Sequence, residues 1–171
     1  MALSTTIKSI QDIMRKDVGV DGDAQRIGQL VWMLFLKIFD DRETELELLD
    51  ANYRSPLPAN LRWRAWAADD EGITGDAMKT FIDTTLFPGL QNLEADGPTA
   101  ERALLVRELF RDAYNYMKSG TLIRQVINTL NKNFDFNESK TRHALGDVYE
   151  QLLRDLQSAG NAGEFYTPRA V

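Results

Sequence analysis

The residues with the most suggestive chemistry lie at positions 161–171, which read NAGEFYTPRAV. Threonine is a good helix N-cap and proline is favoured at the first helical position, so Thr167 and Pro168 predict the start of a helix. Unpaired backbone N–H groups at such a start suit a carboxylate or a phosphate. Phe165 and Tyr166 would then cover an apolar or aromatic part of the ligand. The alternative is an ordinary helix cap beside aromatic residues of the core.

The position of this segment predicts the domain organisation. Only Arg169, Ala170 and Val171 follow Pro168, and so short a helix cannot sustain itself. We therefore expect the sequence to stop at the threshold of a second domain. The expected division is a helical domain over residues 1–160 and the start of the second domain over residues 161–171.

A second candidate is a group of basic residues between positions 100 and 135, with two tyrosines among them. The group comprises Arg102, Arg107, Arg111, Tyr114, Tyr116, Lys118, Arg124 and Lys132. Such residues are able to contact DNA phosphates. The alternative is a solvated helix face, because Glu101, Glu108 and Asp112 lie among them at the spacing of surface ion pairs.

Three further features are open to more than one interpretation. The residues Arg62, Trp63, Arg64 and Trp66 suit a protein interface or stacking on nucleic acid; the alternative is that the indoles fix a long loop to the body. The acidic run from Asp40 to Glu47 is expected to be solvated, with a bound divalent cation as the alternative. His143 is the only histidine and has no evident metal or nucleophile partner, so we expect a surface or capping residue.

The composition excludes several classes of protein. The chain has 171 residues, no cysteine and a net charge of -6, so disulfides and thiolate metal sites are excluded. The lack of cysteine fits a reducing cytoplasm. The longest apolar run, residues 30–39, contains Lys37 and is shorter than the roughly 20 residues that span a membrane. Autonomous nucleic-acid binders usually carry a basic excess, so DNA contact here would need a local patch or a partner.

Helical periodicity dominates the sequence, and we predict an all-α fold, a compact bundle of about six helices with one long irregular loop. A short strand pair near 58–67 is the one β element that the pattern allows. The predicted helices begin with one that carries Ile7, Ile10, Ile13 and Met14, and continue with residues 24–49, 76–87, 100–117, 122–130 and 140–158. Pro88 and Gly89 are expected to interrupt the third of them. The last carries Leu145, Val148, Tyr149, Leu152 and Leu156 on its inner face.

The terminal motif, GEFYTPR at 163–169, resembles the segment that opens the catalytic domain of the modification subunit of type I restriction-modification systems. The long helix with QLVWMLFLKIFDDR at 29–42 is similar to that family's N-terminal helix. DVYEQLL at 147–153 resembles the helix that precedes the motif, and LRW at 61–63 its Arg-Trp segment. The resemblance covers essentially the whole chain, and its most specific part is the terminal motif.

The resemblance implies an S-adenosylmethionine-dependent, site-specific DNA adenine-N6 methyltransferase as the full-length subunit, whereas this part alone is expected to be non-catalytic. One edge of the cofactor pocket would be formed by Glu164, Phe165, Tyr166, Thr167, Pro168 and Arg169. The implied partners are a specificity subunit, a restriction subunit, a second modification subunit and double-stranded DNA, with no membrane. The 1–160 domain would assemble the complex and help to close it around DNA.

Two alternatives to this function remain open on the sequence. One is a single-chain restriction-methylation enzyme with its recognition module fused downstream. The other is a helical protein-interaction module of a non-enzymatic complex. The Gly-rich turn that cradles the cofactor and the Asn-Pro-Pro-aromatic tetrapeptide are not found in these 171 residues, so the residues themselves do not decide between them.

Overall fold

A computed structural model describes residues 3–134, and over this range it confirms the all-α prediction. The α-helices are α1 (Leu3–Arg15), α2 (Asp23–Leu49), α3 (Trp63–Trp66), α4 (Gly75–Phe81), α5 (Phe87–Gln91), α6 (Ala100–Asp112) and α7 (Gly120–Asn133). A π-helical segment, Ile82–Leu86, joins α4 to α5, and 3₁₀ turns lie at Ala59–Leu61 and Gly97–Thr99. With α4 and α5 counted as one helix, the described part has six.

Helix α2 forms the centre of the core. Leu30, Trp32 and Met33 on this helix are all fully buried. The Trp32 ring meets Phe87 edge-on at 4.9 Å between centroids and Phe110 at 6.3 Å. Because these partners come from α5 and α6, one aromatic cluster joins three helices, and edge-to-face pairs add to the stabilisation from apolar burial. The long apolar helix of the sequence therefore acts as the central element of the fold.

The expected interruption at Pro88 is wrong, because the helix continues through it to Gln91. The π-helical segment accounts for this: the Phe87 N–H bonds to the carbonyl of Ile82, five residues back. Such a bulge widens one turn, and proline in a regular α-helix otherwise clashes with the carbonyl four residues earlier. The wider turn accommodates the proline ring, so α4 and α5 follow one another without a break.

The helix predicted up to Met117 ends instead at Asp112. The following segment is extended, and its backbone is satisfied by one side chain of α2 and one from the turn after α1. Gln29 accepts the Tyr116 N–H at 2.8 Å, and Asp17 accepts two N–H groups that follow Met117, each at 2.9 Å. Met117 is fully buried all the same. The apolar spacing identified the buried residue correctly but not its backbone conformation.

The crossing of α4 and α7 depends on Gly120. A Cβ at this position would overlap the carbonyl oxygen of Gly75, so only glycine allows the two backbones to approach so closely. Gly75 itself has a φ of 59°, in the left-handed region that favours glycine. The tight contact between the two helices is thus encoded by a pair of glycines.

The strand pair allowed near 58–67 is wrong, because these residues form the 3₁₀ turn Ala59–Leu61 and the short helix α3. Leu61, Trp63 and Trp66, which suggested a strand, are instead the buried residues of these helical turns. Among residues 3–134, no helix combines the length and the apolar character that crossing a bilayer requires. The helix predicted at 140–158 lies outside the described residues.

Candidate interaction surfaces

The predicted cofactor edge, Glu164 to Arg169, lies outside the described residues, as does His143. The described part contains the three other groups that the sequence singles out. These are the tryptophan and arginine group of the loop, the acidic run of α2, and the basic residues of α6 and α7.

Trp63 and Trp66 fix the loop to the helical body. They are only 2% and 6% exposed, and their rings meet edge-on at 5.6 Å. The Trp63 indole N–H donates to Asn131 Oδ1 of α7 at 2.8 Å, and that of Trp66 donates to the Leu61 carbonyl at 3.2 Å. Buried and hydrogen-bonded indoles are unavailable for stacking on a nucleic acid. The structural interpretation of this group is therefore the correct one.

The two arginines beside these tryptophans bind the acidic end of α2. Arg64 Nε donates to Asp40 at 2.9 Å and its Nη1 to Glu47 at 2.8 Å. Arg62 lies 3.5 Å from the same Glu47 carboxylate. Burial raises the pKa of Asp40, and the hydrogen bond and charge of Arg64 oppose that rise. The loop and α2 are joined by an ion-pair network rather than by single pairs.

The expectation of a solvated acidic run on α2 is wrong for its most important member, Glu43. This side chain is fully buried and accepts hydrogen bonds from Tyr53 Oη and Ser55 Oγ, both at 2.7 Å. Burial, followed by the neighbouring Glu43 carboxylate, raises the pKa of Tyr53 to about 12. Two loop hydroxyls replace the water that an exposed carboxylate would bind. Among residues 3–134, no group of three or more potential ligands is arranged to hold a metal ion.

Arg124 is not a free DNA-binding cation, contrary to one interpretation of the basic group. It is only 6% exposed, and burial lowers its pKa while the charges of Asp69 and Asp70 oppose that change. Its guanidinium donates to four loop carbonyls at 2.9–3.0 Å. They belong to Trp66, Ala67, Asp69 and Ile73. The residue holds the loop closed against α7.

Of the other basic residues, some make contacts within the body and others are exposed to solvent. Arg107 donates to the Leu93 carbonyl at 3.0 Å, and the Arg102 guanidinium lies 4.3 Å from the centroid of the Phe39 ring. Arg111 forms an exposed pair with Glu108 at 2.7 Å, as the spacing predicts. Lys118 and Lys132 are exposed. Because Arg107 and Arg124 bond to backbone carbonyls and Arg111 pairs with Glu108, the interpretation as a mixed, solvated face is closer to the structure.

Asp17, which the sequence does not single out, joins the turn after α1 to the segment that precedes α7. It is 3% exposed and accepts the backbone N–H groups of Gly19, Lys118 and Ser119 at 2.8–2.9 Å. Two of these partners lie about a hundred residues away in the chain. A charge-assisted bond to a backbone N–H is stronger than a neutral one. Only the tertiary contact reveals this role, since nothing adjacent to Asp17 marks it.

Large apolar side chains are left in solvent at a few places on the described surface. Leu48 and Leu49, at the end of α2, are 84% and 76% exposed, and Leu105 on α6 is 55% exposed. Between these helices lies a cleft of about 600 Å³ lined by residues such as Leu46, Tyr53 and Arg102. Apolar side chains that are exposed singly are normal on a protein surface, whereas a large contiguous apolar patch is typical of a contact surface. The described body therefore has a buried apolar core and a few exposed leucines on its surface.

Comparison with protein families identifies the chain. The family model described as the HsdM N-terminal domain matches residues 3–130. The chain belongs to the HsdM N-terminal domain family. A second family model, described as N-6 DNA methylase, matches residues 140–171, a stretch that includes the predicted cofactor edge.

Individual relatives agree with the HsdM family. The chain is 63% identical over 171 residues to the type I restriction enzyme EcoEI methylase subunit of Escherichia coli, covering all of this chain and 35% of that protein. A crystal structure named as a type I modification subunit from Vibrio vulnificus YJ016 superposes with a TM-score of 0.79. It is 38% identical, and the match covers 98% of this chain and 38% of that one.

A third relative comes from structural work on complex assembly and conformational transition of the type I R-M system. Its TM-score is 0.78 at 31% identity, covering 98% of this chain and 33% of that one. The chain thus spans about a third of the length of the relatives that it matches.

Proposed function

We propose that this HsdM N-terminal domain is the assembly and DNA-clamping part of a type I restriction-modification subunit that methylates adenine at N6 in a specific DNA site. The observation that carries the proposal is the family match over residues 3–130, together with a type I methylase subunit that is 63% identical over the whole chain. The full-length subunit would transfer the methyl group, and residues 1–171 alone would not.

The described body suits an assembly role. Its most chemically capable side chains, Arg64, Trp63 and Arg124, are used internally to hold the loop between α2 and α4. What remains accessible is a helical surface with exposed leucines. The net charge of -6 favours delegation of sequence readout to a partner, because an acidic surface repels the phosphate backbone.

The methyl donor in this proposal is S-adenosylmethionine. Residues 164–169 would form one edge of its pocket, with Phe165 and Tyr166 as a wall and the Thr167 hydroxyl toward the methionine end. The match of the N-6 DNA methylase model to residues 140–171 supports this assignment. A pocket of this kind buries most of its ligand, so the remaining wall would come from sequence beyond Val171. We propose that the second domain begins at residue 161.

The proposed partners are a specificity subunit that reads the DNA sequence, a second copy of the modification subunit, and a restriction subunit for cleavage. Double-stranded DNA would be bound by the assembled complex, in the cytoplasm. Support comes from the structural match to a type I R-M system that was studied for complex assembly.

The experiment is methyl transfer by the full-length subunit purified with its specificity subunit. Nucleoside mass spectrometry should find N6-methyladenine in DNA treated with the complex and S-adenosylmethionine. Methyl groups on cytosine, or none at all from a complex that binds the cofactor, would refute the proposed activity. Parallel calorimetry should detect S-adenosylmethionine binding to the full-length subunit and none to residues 1–171. A Phe165→Ala change should weaken that binding, whereas Glu71→Ala, on an exposed loop, should not.

A further inference from the structure

Three arginines line the cleft of about 600 Å³ between α2 and α6. Arg42 belongs to α2, Arg54 to the loop that follows it, and Arg102 to the first turn of α6. The lining contains one carboxylate, that of Asp50. Three guanidinium groups therefore share one cleft in a chain whose net charge is -6.

Two of these arginines have no carboxylate partner. Arg42 pairs with Glu45 on α2, but none of the ion pairs in the described part of the chain includes Arg54 or Arg102. Asp50 Oδ1 accepts a backbone N–H of its own loop at 2.9 Å. Even with Glu45 counted beside the lining residues, the arginines outnumber the carboxylates, so the cleft is cationic.

Arg102 supplies the most sheltered of these charges. Its guanidinium lies 4.3 Å from the centroid of the Phe39 ring, and its Nε and Nη2 atoms are buried with no hydrogen-bond partner among residues 3–134. The buried carboxylate of Glu43 instead accepts hydrogen bonds from two loop hydroxyls. A sheltered charge without a partner is unfavourable, and an anion in the cleft would compensate it.

The donors and the size of the cleft favour a phosphate group as this anion. Arginine presents its N–H groups in a planar fork that fits phosphate oxygens, and three such forks suit several phosphate oxygens better than the two of one carboxylate. The Thr99 hydroxyl lines the same cleft and makes no cap bond for α6, so it is a further donor. Leu46 and Pro98 add apolar lining, which suits the sugar that carries a phosphate.

We propose that the cleft between α2 and α6 binds a phosphate group through Arg42, Arg54 and Arg102. The phosphate belongs to a DNA backbone or to a free phosphate compound, and both present the same oxygens to the arginines. The DNA source rests on the proposed function, in which an acidic chain needs a local cationic site to contact the duplex.

Calorimetry with sodium pyrophosphate at constant ionic strength tests the site directly. The chain should bind pyrophosphate saturably, and Arg54→Gln should weaken the binding at least about five-fold, because it removes a charged donor. Arg111→Gln is the matched control, since it makes the same charge change at an exposed position of α6; it should leave the affinity within about two-fold. No saturable binding, or a loss in Arg54→Gln no larger than in the control, would overturn the proposal.

An Asp50→Asn change tests the same site through a gain of affinity, which unfolding cannot produce. Removing the one carboxylate of the lining should tighten pyrophosphate binding about three-fold. Asparagine keeps an oxygen that can accept the backbone N–H now bonded to Asp50, so the loop should keep its conformation. Unchanged or weaker binding in this variant would contradict the electrostatic argument.

A labelled short DNA duplex, followed by fluorescence anisotropy, identifies the source of the phosphate. If the source is DNA, pyrophosphate should compete with the duplex, and Arg54→Gln should reduce the slope of log affinity against log salt by about 1. If pyrophosphate binds at the arginines without competing with a duplex, the source is a free phosphate compound.

A peptide of three glutamates provides the remaining comparison. If it bound more tightly than pyrophosphate, the cleft would belong to an acidic segment of a partner protein and the phosphate proposal would be wrong. The pyrophosphate measurement uses neither a methyl donor nor an adenine substrate. Its failure would therefore leave the proposed methyl transfer untouched, and a failure of methyl transfer would leave the phosphate site untouched.

Discussion

Replacing Arg124 with methionine removes the strongest single attachment of the loop between α3 and α4. Methionine has a similar apolar stem but no donors, so the change isolates the hydrogen bonds from the packing. The wild-type guanidinium satisfies four loop carbonyls at 2.9–3.0 Å and one side-chain oxygen, Asn128 Oδ1, at 3.2 Å. Carbonyls that lose a donor in a buried place retain their desolvation cost.

The expected loss follows from the number of these bonds. At a net value of about 1 kcal/mol for each carbonyl bond, four bonds give about 4 kcal/mol. Water would reach some of the part-buried carbonyls after the change, so we expect a loss of about 3 kcal/mol in the free energy of unfolding. Arg124→Lys should lie between the wild type and Arg124→Met, because an ammonium group has three donors but not the planar fork.

Urea unfolding followed by tryptophan fluorescence and circular dichroism measures this loss. With a slope of about 2 kcal/mol/M, a loss of about 3 kcal/mol lowers the midpoint by about 1.5 M. The control is Arg111→Met, whose partner Glu108 and own side chain are 54% and 62% exposed; surface pairs contribute less than about 1 kcal/mol. A midpoint shift for Arg124→Met no larger than for this control would refute the argument that Arg124 holds the loop.

Three further changes test other parts of the described body. The pKa of Tyr53 is raised to about 12, above its ordinary value of 10. Tyr53 should therefore stabilise the fold below pH 10 and lose that contribution between pH 10 and 12; Glu43→Gln should lower the pKa in a phenolate absorbance titration. Asp17→Asn weakens the bonds from the Lys118 and Ser119 N–H groups and should cost about 2 kcal/mol by urea unfolding. Ser119→Ala removes the N-cap of α7 and should cost about 1 kcal/mol in the same assay.

Each of these changes has a control. Tyr53→Phe should abolish the absorbance change assigned to that phenol, and a titration unchanged in Glu43→Gln would contradict the role of the buried carboxylate. Asp12→Asn removes an exposed pair with Arg15 and should have little effect beside Asp17→Asn. Ser119→Thr keeps a capping hydroxyl, so its stability should stay near the wild type; a loss as large as in the alanine variant would argue against capping.

A predicted helix is correct where interactions between residues close in sequence determine it, and it is wrong where contacts between residues distant in sequence determine it. Helices α1, α2 and α7 match the sequence predictions closely, because the apolar spacing that predicts them acts within a few positions. The predicted end of α6 at Met117 is wrong because the side chains of Gln29 and Asp17 accept hydrogen bonds from backbone N–H groups after Asp112. The continuation of the helix through Pro88 depends on a π-helical turn that no local signal marks.

The surface residues show the same division. The sequence identifies Trp63, Arg64 and Arg124 as chemically capable but not what they bind, since their partners lie up to 68 positions away. Glu43 reads as a solvated acid on a charged stretch, yet it is fully buried beneath Tyr53 and Ser55. The charge pattern along a helix predicts which of its faces is polar, but it does not predict that a loop will fold back over that face and bury a carboxylate.

What the sequence determined alone is the helical class and the family, through periodicity and the terminal motif that resembles type I modification subunits. Local spacing and residue type carry that information, so no tertiary contact is needed to read it. What only the tertiary structure decided is which charged groups are internal. Asp17, Glu43 and Arg124 are buried because distant backbone and hydroxyl groups replace water around them, and desolvation of a charge is tolerated only when such partners are supplied.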